Sequence, residues 1–250
     1  MLKWFRTDLH VHTCLSPCAD LRMSPRRIVG EALHQKLDIV AVTDHNSAAN
    51  VSAVMKAAEG TSLAVLPGME VCTREEVHVV AIFDMLSSAI DFQSEVYDRL
   101  TGRNDPETFG LQVIANALDE VEGFEERLLI GAADLSIDDV VRKIHRLNGL
   151  AIAAHIDRES FGVIGHLGFV PPSVRFDALE LSAAISDSDA SRRFQMLSRQ
   201  FLIRSSDAHF PSDLGGCKTH FLIEHPTCDE LRRAFLHENG RMASIEQPAE

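Results

Sequence analysis

The chain has 250 residues, 45% of them hydrophobic, and a formal net charge of −13. That length suits one large α/β domain with a sizeable core. The acidic balance disfavours a non-specific grip on nucleic acid through counterion release. Aromatics at 6%, with one Trp and one Tyr, leave few stacking platforms for long single strands. Five Cys is an odd number, no leader is recognisable ahead of the first strand, and no apolar run approaches membrane-span length. The expectation is a cytoplasmic protein with free thiols and no membrane partner.

Residues 7–13 alternate polar and apolar, a period of two that predicts a β-strand. On a regular strand Asp8, His10 and His12 share one face, and Leu9 and Val11 the other. Two imidazoles on one face can hold a metal ion, with a carboxylate orienting them from behind. A plain strand with two surface histidines fits the same pattern. A loop over 14–24 follows, then Ser24-Pro25 as N-cap and first residue of a helix over 25–35. Residues 37–43 are an apolar, β-branched run that predicts a buried strand ending in Thr43-Asp44-His45-Asn46-Ser47. A helix over 48–58 and strands over 62–71 and 77–83 come next. This alternation predicts a parallel sheet. His12, His45 and Glu70 lie late in their strands or just beyond, where α/β barrels place working residues.

Residues 84–135 break the rhythm, with twelve Asp or Glu against three Arg. A turn-rich stretch at 98–106 and a helix over 111–118 are expected there. The segment reads as an insertion or lid, solvated on its outer face, and a plain acidic surface layer is equally compatible. The alternation then resumes. Ser136 caps a helix to 147, which Asn148-Gly149 ends. A strand over 150–154 delivers His155, and 161–172 is a loop containing Gly and Pro. A strand over 178–181, a helix over 190–199 and a strand over 201–203 lead into Ser205-Ser206-Asp207-Ala208-His209. A strand over 219–224, a helix over 228–237 and a loose tail from 246 complete the chain.

Nearly every strand terminus thus carries a His or a carboxylate: His10, His12, His45, Glu70, His78, His155, Asp207 and His209, with Asp20 in the first loop. His34, His145, His225 and His237 are scattered and read as structural or surface residues; His166 and His220 stay open. Cys14, Cys18 and Cys72 fall near the histidines in sequence. They have the chemistry to ligate zinc, but small-residue packing is the preferred reading.

In order, Asp8-Leu9-His10-Val11-His12-Thr13, Thr43-Asp44-His45-Asn46, Gly68-Met69-Glu70, His78-Val79-Val80-Ala81, Ala154-His155 and Ser206-Asp207-Ala208-His209 resemble the motifs of the PHP (polymerase and histidinol phosphatase) family. The resemblance implies a distorted seven-stranded, TIM-like (β/α) barrel over the whole chain, with 84–135 inserted in it. It implies two or three divalent ions at the C-terminal strand ends, and phosphoester hydrolysis. By that pattern one metal takes His10, His12, Glu70 and Asp207. A second shares Glu70 and takes His78 and His155. A third, where present, takes His45, His209 and an acidic or His residue of the loop, here Asp20. The sequence departs from the pattern in that loop, reading Ser16-Pro17-Cys18-Ala19-Asp20 where many relatives have a shorter Ser-Asp-Gly.

The two oxygens of Glu70 can bridge two cations, and a water between them ionises near neutrality to give the nucleophile. Asp207 or His209 is placed to pass a proton to the leaving group. Arg158 is a candidate for the non-bridging phosphoryl oxygens, an ordinary surface ion pair being its other reading. Nitrogen and oxygen donors admit Mn, Fe or Zn. The expected substrate is a small phosphorylated metabolite, a nucleotide or a very short oligonucleotide, with no long nucleic acid. An amidohydrolase-like amide or lactone hydrolase is the rival enzyme class, but no Lys stands at a strand end to form a bridging carbamate. A non-catalytic, metal-stabilised barrel is the third reading, and the complete set of ligand types argues against it.

Overall fold

The computed structural model describes residues 1–194 and 201–247. Its first half runs β1 (Lys3–Val11), α1 (Pro25–His34), β2 (Ile39–Val42), α2 (Val51–Ala57), β3 (Ala64–Cys72), β4 (His78–Ile82) and α3 (Leu86–Tyr97). A short helix α4 (Pro106–Phe109) and a hairpin of β5 (Val113–Ala115) and β6 (Val121–Phe124) follow. The rest is α5 (Ile137–Arg146), β7 (Leu150–Ala153), α6 (Val163–Leu167), β8 (Ala178–Leu181), α7 (Asp187–Arg193), β9 (Leu202–Arg204), β10 (Thr219–Ile223), α8 (Cys228–Phe235) and β11 (Met242–Ser244). The helix expected over 190–199 corresponds in its described part to α7, which begins earlier, at Asp187, and its part from 195 on lies outside the described residues.

Nine strands form one sheet in the order β11-β10-β1-β2-β3-β4-β7-β8-β9. The far edge returns to β1 through a parallel bridge between Val11 and Ala208. His12 N donates to Ala208 O at 3.1 Å and Ala208 N to His10 O at 3.3 Å. Below that bridge β10 is wedged into the seam. The Thr219 hydroxyl accepts from Arg204 N and donates to Arg204 O, at 2.9 and 2.8 Å. Thr7 Oγ1 donates to Thr219 O at 2.9 Å. The result is a nearly closed barrel, the distorted α/β architecture expected from the motifs.

Two buried layers hold it together. One collects the helix faces, Ile28 and Val29 of α1, Val51 and Val54 of α2, Phe92 and Val96 of α3, and Val140 and Ile144 of α5, against outward strand residues such as Met69, Val71 and Val79. The other fills the barrel with Ile39, Leu66, Val80, Ile82, Ile152 and Ile203, and α8 joins it through Leu231 and Ala234. Burying a side chain of this kind contributes roughly 1.5–3 kcal/mol.

Three features differ from the sequence-based expectations. The sheet is not wholly parallel, because β4 runs antiparallel to both β3 and β7. A short connection, residues 73–77, joins β3 to β4, too few for a parallel crossover. The inversion puts the first residue of β4, His78, at the same mouth as the ends of its neighbours. Second, β1 carries an extra residue between Asp8 and Val11 relative to β2, a bulge that resets the alternation. Leu9 consequently joins the barrel interior and Val11 the helix layer. Asp8 turns away from His10 and His12 to accept from Ser206 N and Gly215 N, each at 2.9 Å. Third, 111–118 is strand and turn rather than helix. Asn50 acts as a surrogate strand there, donating to Val113 O and accepting from Ala115 N, both at 3.0 Å. Within 84–135, α3 is an integral barrel helix, while the acidic hairpin leans on the loop after β1 through Val113 N to Cys14 O at 3.0 Å. No helix among the described residues is long and apolar enough to cross a membrane.

Candidate metal centre

Glu70 is the hub of the mouth. It stands on β3 between Met69 and Val71, which face the helices, so its carboxylate points into the barrel. Gly68, two residues earlier, lets the neighbouring strands close on β3: a Cβ there would lie 2.5 Å from Ala81 O. Five imidazoles surround the carboxylate. Oε1 lies 3.3 Å from His10 Nε2, 2.9 Å from His78 Nδ1 and 3.1 Å from His155 Nε2. Oε2 lies 3.5 Å from His12 Nε2 and 3.0 Å from His45 Nδ1. Asp207 Oδ1 closes the other side, 3.3 Å from His10 Nε2 and 3.2 Å from His12 Nε2. His209 follows on the same loop, its Nδ1 2.8 Å from Asp207 O, and its ring packs against His12 at 4.2 Å.

Every one of these side chains except His209 is buried. Burial disfavours charge on Glu70, but the surrounding imidazoles outweigh it and hold the carboxyl well below its usual range. Burial likewise disfavours the His10 imidazolium, yet Glu180, Glu70 and Asp207 raise its pKa well above 6.5. His12 is pushed the other way, by burial and then by His209, so it is the neutral partner. The 3.2 Å separation of the two Nε2 atoms fits one donor and one acceptor. The buried Nδ1 of His155 has no hydrogen-bond partner, and that of His45, although 3.0 Å from Glu70 Oε2, is not aligned to bond it. A dry nest of imidazoles and carboxylates with donor atoms about 3 Å apart and orphaned nitrogens is what a divalent cation would satisfy. Three such groupings stand out among the described residues: His10, His12 and Glu70; His45, Glu70 and His78; and His12, His45 and His209. The residues present therefore fit bound metal.

Backbone strain marks the same place. His155 (φ 28°) and Asp207 (φ 51°) lie at positive φ. Such conformations cost of order 1–3 kcal/mol and persist where surrounding contacts over-determine them.

Residues 8–170 match the PHP domain. The chain belongs to the PHP family. It is 30% identical over 103 residues to the 5'-3' exoribonuclease Rnm of Salmonella typhimurium, a match covering 38% of this chain and 34% of that one. The match thus spans about a third of that curated relative's length. The crystal structure of the lesion-specific endonuclease PfuEndoQ from Pyrococcus furiosus superposes with a TM-score of 0.72 at 20% identity, over 96% of this chain and 58% of that one. A Bifidobacterium adolescentis protein assigned as a metal-dependent phosphoesterase gives 0.59 at 18% identity, over 92% and 95%. At these identities the two structures speak for the PHP barrel fold alone.

The barrel brings together His10, His12, His45, Glu70, His78, His155, Asp207 and His209. It does not bring in Asp20. That carboxylate accepts from Arg22 N, Nε and Nη2 at 2.8–2.9 Å, so both oxygens are already committed. Arg158 is a rim residue, 45% exposed, with Nη1 2.7 Å from Asp207 Oδ2. It is near the site and in an ion pair at once. His166 stays at the margin, near-parallel to Phe161 at 6.1 Å, and Phe161 stacks on His78 at 4.4 Å. His220 pairs with Arg6 across the lower part of β1 and is not at the mouth.

Two supporting carboxylates escaped the sequence reading. Glu180 lies 3.0 and 3.2 Å from His10 Nδ1 through its two oxygens and accepts from His155 N at 3.2 Å. One carboxylate thus orients the His10 ring and anchors the backbone of His155. Its signal was a lone charge inside the otherwise apolar β8. Asp44 accepts from Thr13 N and Oγ1 and from Ser16 Oγ, at 2.7–2.8 Å. Ser16 Oγ is in turn 2.9 Å from His12 Nδ1. The PHP site is thus braced from behind through the ring nitrogens that face away from it.

Proposed function

We propose that this chain hydrolyses a phosphoester of a nucleotide or short oligonucleotide at the Glu70 centre. The supporting observation is that one buried carboxylate is shared by two sets of imidazoles. His10 and His12 reach Glu70 beside Asp207, and His78 and His155 reach it from β4 and the end of β7. That is a carboxylate set to bridge two ions. Ions held there would supply an activated water and offset phosphoryl charge. His10, His12, Glu70 and Asp207 would hold one, and Glu70, His78 and His155 a second.

The chain's own groups do the rest. Arg158 approaches Asp207 from the solvent side, so a phosphate entering the mouth meets a guanidinium already in place. Where no third ion engages it, His209 is the better proton donor to the leaving oxygen. It is partly open to solvent, whereas both oxygens of Asp207 are engaged, by His10 and His12 and by Arg158. Phe161 and Phe210 are exposed beside the ligands they follow or stack on, His78 and His209. Exposed aromatics at a phosphate site favour a substrate that carries a base. Among relatives, the names exoribonuclease and endonuclease also favour nucleic-acid phosphoesters, and they give no support to the expectation that long polymers are excluded.

The test is turnover of p-nitrophenyl phosphate against its bis-ester, then of nucleotides and of short RNA and DNA, with Mn, Fe or Zn supplied. Protein that retains its metal yet cleaves none of these would sink the reading.

A further inference from the structure

The first loop offers a thiol where the sequence pattern calls for a carboxylate. Cys18 is exposed at the mouth, and its Sγ lies 3.2 Å from His45 Nε2. The same His45 ring presents Nδ1 to Glu70 Oε2 at 3.0 Å. One imidazole thus spans from the bridging carboxylate to the thiol. His209 is a neighbour of Cys18 as well, and its ring nitrogen lies within 4.8 Å of those of His45 and His12. The loop holds this position through its backbone. Ala19 N donates to Ser16 O at 3.0 Å, and Asp20 N donates to His209 O at 2.8 Å. The Ser16 hydroxyl accepts from His45 N at 3.1 Å. Cys18 is therefore tied on one side to the residue carrying His45 and on the other to His209. Asp20, two residues on, faces Arg22 instead.

We propose that Cys18 is a thiolate ligand at the third metal position, with His45 and His209, in the place the family pattern gives to an acidic residue. The inference rests on the metal-centre reading above. In a tetrahedral site with a metal–sulfur bond of about 2.3 Å and a metal–nitrogen bond of about 2.0 Å, sulfur and nitrogen stand about 3.5 Å apart. The observed 3.2 Å needs an adjustment of only a few tenths of an ångström. The buried Cys14 does not compete: its Sγ faces Val113 O and Asn50 instead. A thiolate is a soft donor, so this position selects zinc over manganese, while the all-nitrogen-and-oxygen positions around Glu70 do not discriminate so sharply. One centre then holds two kinds of site.

Cobalt(II) substituted into the full chain reads this directly. Wild-type protein should show a near-ultraviolet sulfur-to-cobalt charge-transfer band, and Cys18→Ser should lose it. The variant should also bind its zinc on the order of 10–100-fold more weakly at one position and keep the other ions. Asp20→Asn should leave band and stoichiometry unchanged. Should Cys18→Ser fail to fold, alkylation of wild-type protein serves instead. Iodoacetamide should label Cys18 in chelator-treated protein, and zinc should protect it. Cobalt bound without the band, a band that survives Cys18→Ser, or labelling that zinc does not slow would overturn the thiolate role alone. Failure to bind cobalt or zinc at all would overturn the metal-centre reading with it.

Discussion

Glu70 and Glu230 are both buried carboxylates, and they are neutralised in different ways. Glu230, on α8, accepts Arg241 Nε at 2.9 Å and Nη2 at 2.7 Å, a two-pronged grip, with Glu224 N at 2.8 Å as a third donor. A guanidinium keeps its charge at any working pH, so that site is complete in the chain by itself. Glu70 has only imidazoles around it. Imidazoles release their protons near neutrality. Its neutralisation therefore depends on what the solvent supplies, protons in acid or metal ions above it. One carboxylate is architecture, and the other has surroundings that a cation would complete.

The sharpest way to break that contrast is Glu70→Gln. Losing the bridge should lower phosphoester turnover by at least about 10³-fold, equivalent to roughly 4 kcal/mol. Unchanged turnover in metal-loaded protein would refute the bridging role. Glu180→Gln comes next. It leaves every proposed ligand in place and loosens His10, so metal affinity or activity should fall on the order of 10–100-fold. Titration of apo protein with zinc separates the two effects.

The pH dependence of stability should divide the centre by its metal content. The folded pKa of Glu70 is depressed, so its contribution is present above the ordinary value of 4.5 and is lost as pH falls through the lower folded value. The folded pKa of His10 is raised, so its contribution is complete below 6.5 and fades as pH rises through the higher folded value. Chelator-treated protein should accordingly be most stable between these limits and soften above pH 6.5. Metal-loaded protein should gain stability over the same rise, because ligation needs neutral imidazoles. Parallel melting curves with and without chelator would contradict this. The smallest effect on function belongs to Arg241→Met. It should lower the melting temperature by several degrees wherever Glu230 is ionised, less so in acid, and leave turnover per folded molecule unchanged.

Much of this centre could be read from the chain alone, because metal chemistry needs particular residue types and strands deliver them at fixed spacing. His10 and His12, Glu70, His155, Asp207 and His209 were visible for that reason. Glu180 was not, since a single Glu in an apolar strand looks the same whether it orients a ligand or merely tolerates burial. The loop from Ser16 to Asp20 misled for a related reason. Sequence ranks Asp20 above Cys18 by residue type, and only the path of the backbone, pinned to His209 O, decides which of the two faces His45.

The order and identity of the clustered imidazoles and carboxylates follow from the sequence, as does the strand–helix rhythm that carries them, since both depend on local pattern. Two decisions belonged to the tertiary structure. The bulge in β1 and the reversal of β4 determine which way Asp8, Leu9 and His78 point, and both arise from pairing between strands. A hydrogen-bond register is a relation between distant segments, so no window of residues contains it.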